Sequence, residues 1–140
     1  MKFNIRNTFF IAFTLLTLSS CDGPLAVFPG GKLLGPETTY EREQLPAELG
    51  VIQLETRPSD PYSVNVGCVV IDNKIYIDPT VERTWYQHIL SEPNIRIRFE
   101  GDENVYLMTA ITVKDAAIRA KFESDRIVLR LTPRLPSKAG

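Results

Sequence analysis

The sequence predicts a mostly β protein: a small, six-stranded antiparallel barrel with one helix crossing between the third and fourth strands and a short second helix before the last. Three observations carry that expectation. Short runs of alternating apolar residues recur from 51 to 131, bounded by Gly, Pro, Asn or Asp. One stretch switches to helical spacing, with Val81, Trp85 and Ile89 on a stripe that Tyr86 and Leu90 widen. Tight connections such as Asp72-Asn73 and Gly101-Asp102-Glu103-Asn104 join neighbouring runs, which suits antiparallel strands.

The elements follow in order. Over 51–56 the chain alternates, with Ile52 and Leu54 on one face. Arg57-Pro58-Ser59-Asp60-Pro61 turns it, since two prolines cannot continue a ladder. Residues 63–71 are a long apolar run with β-branched pairs, read as one strand buried on both faces. Asp72-Asn73 forms a hairpin turn and 74–77 returns. The helix of the Trp85 stripe comes next, stopped by Pro93. Alternation over 95–99 and 105–113 gives two more strands, Asp115 is placed to cap a short helix through about Phe122, and 127–131 is the last strand, closed by Pro133 and Pro136. The domain is bounded at 49–133, with 134–140 a tail. A core of this size is near the limit of independent stability, so a homodimer is expected to help it.

Residues 1–20 are an address and not part of the fold. Lys2 and Arg6 precede an apolar stretch, 9–18, too short to span a bilayer comfortably, and Ser19-Ser20 lead to Cys21. Leu18-Ser19-Ser20-Cys21 resembles the lipobox of bacterial lipoproteins, whose cysteine is acylated before cleavage. The resemblance implies lipidation of Cys21 and a protein attached to a membrane of the cell envelope, facing the periplasm or exterior without spanning it. An ordinary signal peptide with an incidental Cys21 is the alternative. Residues 21–48 read as a tether from their prolines and glycines, although Phe28-Pro29-Gly30-Gly31 and Leu33-Leu34-Gly35 are apolar enough to fold back on the domain. Without the leader, 14 basic residues face 17 acidic ones, a net charge of −3 that excludes a nucleic-acid footprint. Cys68 then has no disulfide partner and no basic neighbour, so a buried, inert thiol is expected.

No metal-ligand spacing, phosphate loop or nucleophile motif is present. The single His88 reads as a structural side chain. Arg96 and Arg98 share one strand face; they form either an anion site or, more simply, an outward pair with Glu55 or Glu103. Trp85 reads first as a plug between helix and barrel, and Arg83, across the helix from it, as a solvated charge.

Trp85-Tyr86-x-x-Ile89-x-x-x-Pro93, followed by an alternating strand, resembles a signature of the deazaflavin-dependent nitroreductases. With Asn65-Val66-Gly67 and the Asp72-Asn73-Lys74-Ile75-Tyr76 hairpin, the stretch 51–113 is similar to the split β-barrel family that also includes pyridoxamine-phosphate oxidases. The resemblance implies FMN or a deazaflavin as cofactor, redox chemistry, and contacts from Arg83, Trp85, Tyr86 and Asn65, with the phosphate near the start of the helix. The segment before that helix departs from the family: Asp78 and Glu82 stand where a phosphate would want cations, Asp78 is expected to cap the helix, and Glu92 replaces the Asn before the proline. Two readings follow: a non-catalytic binding or envelope-interaction module, which the two acids favour, and a flavin- or deazaflavin-dependent oxidoreductase.

Overall fold

The structure, a computed structural model, describes residues 28–41, 45 and 50–136; the leader, Cys21 and the last four residues lie outside them. In chain order the strands are β1 (Glu37–Thr38), β2 (Val51–Thr56), β3 (Tyr62–Gly67), β4 (Val69–Ile71), β5 (Lys74–Ile77), β6 (Asn94–Phe99), β7 (Val105–Thr112) and β8 (Leu129–Pro133). Helix α1 (Thr84–Ser91) lies between β5 and β6, and α2 (Ala116–Arg119) between β7 and β8. The strands form a single sheet in the order β3-β2-β6-β7-β8-β5-β4, antiparallel at every step, with β1 added in parallel to the start of β7. This is the antiparallel split barrel expected of the sequence.

The two ends of that order, β3 and β4, are separated in the chain by Cys68 alone, so the sheet curls until one bent segment supplies both of its edges. The run 63–71 is therefore two strands and not one, and with β1 the six expected strands become eight. At the bend the Cys68 N–H leaves the ladder and donates to the Gly50 carbonyl at 3.1 Å. Nor is the run buried on both faces: Asn65, Gly67 and Val69 are exposed, while Val66 and Cys68 face the core. The Asp72-Asn73 turn is as expected; both residues have positive φ, 48° and 59°, the twist that a two-residue hairpin requires.

Alternation fills the barrel. Ile52 and Leu54 from β2, Ile75 and Ile77 from β5, Ile95 and Ile97 from β6, and Met108 from β7 meet in one core. Helix α1 closes one side with Trp85, Tyr86 and Ile89. It is shorter than its apolar stripe. Val81 sits in a turn ahead of it, and both Val81 and Leu90 are exposed, because residue 81 precedes the first helical turn and residue 90 falls at the edge of the buried stripe in the last turn. The Glu92 N–H donates to the His88 carbonyl at 2.9 Å and ends the helix just before Pro93. Asp115 caps α2, accepting the N–H groups of Ala117 and Ile118 at 2.8 and 3.1 Å, but the helix stops at Arg119. Among the described residues no helix is long and apolar enough to cross a membrane.

The described part of the expected tether is a strap on the barrel. Gly30 exchanges two 2.8 Å backbone bonds with Ser63, Leu33 is wholly buried, and Tyr40 stands edge-on to Phe99 and Tyr106. Gly35 is required there: its φ is +147°, and a Cβ would collide with the Glu103 carbonyl.

Candidate functional site

Residues that do not face the core look outward, and two segments cover that outer face. The strap lies over β3, β2 and β6; the excursion between β7 and β8 lies toward β5. Register sets the first half. Glu55 stands opposite Arg96, Gln53 opposite Arg98, and Asn65 beside Gln53. Arg96 Nη1 donates to both Glu55 carboxylate oxygens at 2.9 Å, and Nη2 reaches the Leu33 carbonyl at 3.2 Å and Glu37 at 3.1 Å. Glu55 also accepts the Leu33 N–H. Glu55 is 2% exposed and Arg96 6%. The expected pair thus exists, but the strap seals it from solvent. Arg98 is also spent on the protein, donating to Gln53 Oε1 at 2.6 Å and to the Leu34 carbonyl at 2.8 Å. Arg96 and Arg98 do not form an anion site.

Beside the strap opens a pocket of about 750 Å³, lined by Val51, Gln53, Asn65, Gly67, Arg98 and Asp102 among others. Two acids line it: Glu100 is exposed, and Asp102 is committed, accepting the Tyr106 hydroxyl at 2.6 Å and the Asn104 N–H at 2.9 Å. The Tyr106 bond, first among the causes, holds the Asp102 carboxyl below its ordinary range. Burial, then that bond, pushes the Tyr106 hydroxyl up to about 12. Gln53 is engaged as well, its Oε1 accepting from Arg98.

The four positions that the resemblance assigns to a cofactor are not gathered. Trp85 and Tyr86 are 8% and 7% exposed and belong to the core. Arg83 is exposed at the N-cap of α1, and Asn65 lines the strap-side pocket, which no residue of α1 lines. Asp78 does not cap α1. The N-cap is Arg83, no side chain caps it, and the first turn holds no acid. Instead the Asp78 and Pro79 carbonyls accept Arg126 Nη1 at 3.2 Å and the Ile127 N–H at 2.9 Å, which ties the β5–α1 loop to the excursion. At this end of the barrel Arg83 is exposed and both rings are buried.

His88 is structural as expected. Its Nδ1 lies 2.9 Å from Thr56 Oγ1 and its ring meets Tyr62 edge-on at 5.0 Å. Burial, then the Arg57 charge, lowers its pKa against an opposing pull from Asp60. Cys68 is 5% exposed, and burial pushes its thiol up to about 11. Among the described residues no three His, Cys, Asp or Glu side chains converge on a metal position.

Sequence reading missed the other half of the outer face. There Lys74 and Arg130 line two adjoining pockets, of about 380 and 320 Å³. The alternation of β8 marks Arg130 as outward, but nothing local tells that Lys74 meets it.

No family model and no curated protein matches the sequence. Among solved structures the chain is similar to a Listeria innocua protein assigned as a pyridoxamine 5'-phosphate oxidase, with a TM-score of 0.53 over 67% of this chain and 88% of that one. At 13% identity the likeness is one of fold, and it sets the domain in the split-barrel class.

Proposed function

We propose that this chain is a lipid-anchored envelope protein whose split barrel serves as a binding module without flavin chemistry. The observation that carries the second half is the dispersal of Arg83, Trp85, Tyr86 and Asn65: two in the core, one exposed at the start of α1, one on the outer face of β3. The first half rests on Leu18-Ser19-Ser20-Cys21 at the end of an apolar leader. A flavin- or deazaflavin-dependent oxidoreductase is the second reading, and the fold shared with a protein assigned as a pyridoxamine 5'-phosphate oxidase favours it.

Two experiments decide. Purified full chain in detergent is expected to be colourless and to leave micromolar deazaflavin and FMN fluorescence unquenched; a yellow protein, or stoichiometric quenching that survives Lys74→Gln, moves it to the oxidoreductases. Cells fed a clickable palmitate are expected to label the wild type and not Cys21→Ser. Equal labelling of the two removes the anchor from this reading.

A further inference from the structure

We infer that the groove around Lys74 and Arg130 binds a small organic oxyanion, of the phosphate-monoester kind, with an apolar body. Among the described residues, Lys74 and Arg130 are the partly buried basic side chains that have neither a hydrogen bond nor an ion pair. The other partly buried arginines all have acceptors: Arg57 has Asp60, Arg96 has Glu55, Arg98 has Gln53, Arg126 has Glu123, and Arg134 has the Met108 carbonyl. The two unpaired cations line the same two pockets. That coincidence is the signal, because a partly desolvated cation is ordinarily paired.

The surroundings fit the ligand class. Arg130 sits in mid-sheet, opposite Tyr76 on β5 and Ile111 on β7. Lys114 adds a third cation at the rim, and Ile111 and Ile118 give an apolar wall. Two acids line the groove as well, Asp72 and Asp115, and Asp115 is engaged in capping α2. Thr132, whose buried hydroxyl has no partner, lines the adjoining pocket. A planar guanidinium beside an ammonium matches an oxyanion, and the pockets have the size of a small-molecule site. The inference rests on the binding-module reading, but its test separates the two. FMN binding that survives Lys74→Gln belongs elsewhere and counts against that reading, not against the groove.

The full chain in detergent is titrated calorimetrically with phenyl phosphate and with inorganic phosphate at constant ionic strength. One site per chain is expected, with phenyl phosphate about tenfold tighter than inorganic phosphate. Lys74→Gln and Arg130→Gln each weaken binding by about tenfold or more, since each removes a charge-assisted bond. Ile111→Thr narrows the gap between the two ligands. Lys74→Gln removes no hydrogen bond or ion pair within the protein, so it keeps the test decisive should Arg130→Gln not fold. Equal affinities in wild type and Lys74→Gln overturn the inference. So does a shift in sedimentation on Lys74→Gln without loss of phosphate binding, which would make a second copy the partner of these cations.

Discussion

Arg96 and Arg130 occupy comparable places on one sheet. Each stands on the outer face of a strand with neighbours on both sides, and each lies near a segment that leaves the barrel and folds back on it. Their fates differ because the two covering segments bring different chemistry. The strap brings the Leu33 carbonyl and Glu37 to Arg96, and β2 brings Glu55, so the cation becomes part of the fold. The excursion brings Lys114 and Ile118 toward Arg130 and spends Asp115 on its own helix. A charge that the protein satisfies is structural; one left unsatisfied inside a pocket is available to a ligand.

The largest expected effect is on the strap side. Glu55→Ala leaves Arg96 buried without its main partner, and denaturant unfolding is expected to show a loss of about 3–5 kcal/mol. Replacing the pair together, as Glu55→Leu/Arg96→Met, is expected to restore most of it, since well-packed apolar groups escape the desolvation penalty. A double variant as weak as the single one would mean that the strap needs charge and not merely shape. Leu33→Ala comes next, at about 3 kcal/mol, because this wholly buried side chain fixes the strap on the sheet. A near-wild-type midpoint would show the strap to be an ornament.

On the excursion side the effects shrink. Asp115→Ala is expected to cost about 1 kcal/mol through the lost cap of α2, read by the same unfolding curves. Arg130→Ala is expected to stay within about 1 kcal/mol of wild type, since it breaks no hydrogen bond or ion pair within the protein. A pH scan bears on the bend that joins the two edges. The folded state keeps the Cys68 proton up to about 11, while the unfolded thiol loses it near 9.0. Stability from this source is complete below pH 9.0 and declines as pH rises toward 11. Cys68→Ala is expected to flatten that decline; an unchanged slope would assign it to other groups.

Much of the barrel was legible. Period-two alternation, the Asp72-Asn73 turn, the Trp85 helix and the Asp115 cap are local signals, and each acts where it stands. What was hidden depends on distant partners. The bend at Cys68 occurs because Gly50 supplies an acceptor from 18 positions upstream. The strap docks through Ser63 and Glu55, which no pattern within 28–40 announces. The same holds for the site: Asp78 does not cap because α1 begins only at Thr84, with Arg83 at the N-cap, and the Lys74–Arg130 groove exists only once β5 and β8 are neighbours.

One paired measurement reaches the centre of this account: thermal melts of wild type, Glu55→Ala and Arg130→Ala, each with and without phenyl phosphate at fixed ionic strength. Glu55→Ala is expected to melt roughly 10 °C or more below wild type yet to keep its rise with the ligand. Arg130→Ala melts close to wild type and loses that rise. The reverse pattern, or a ligand-induced rise of equal size in all three proteins, would contradict the division of the outer face into a sealed half and a binding half.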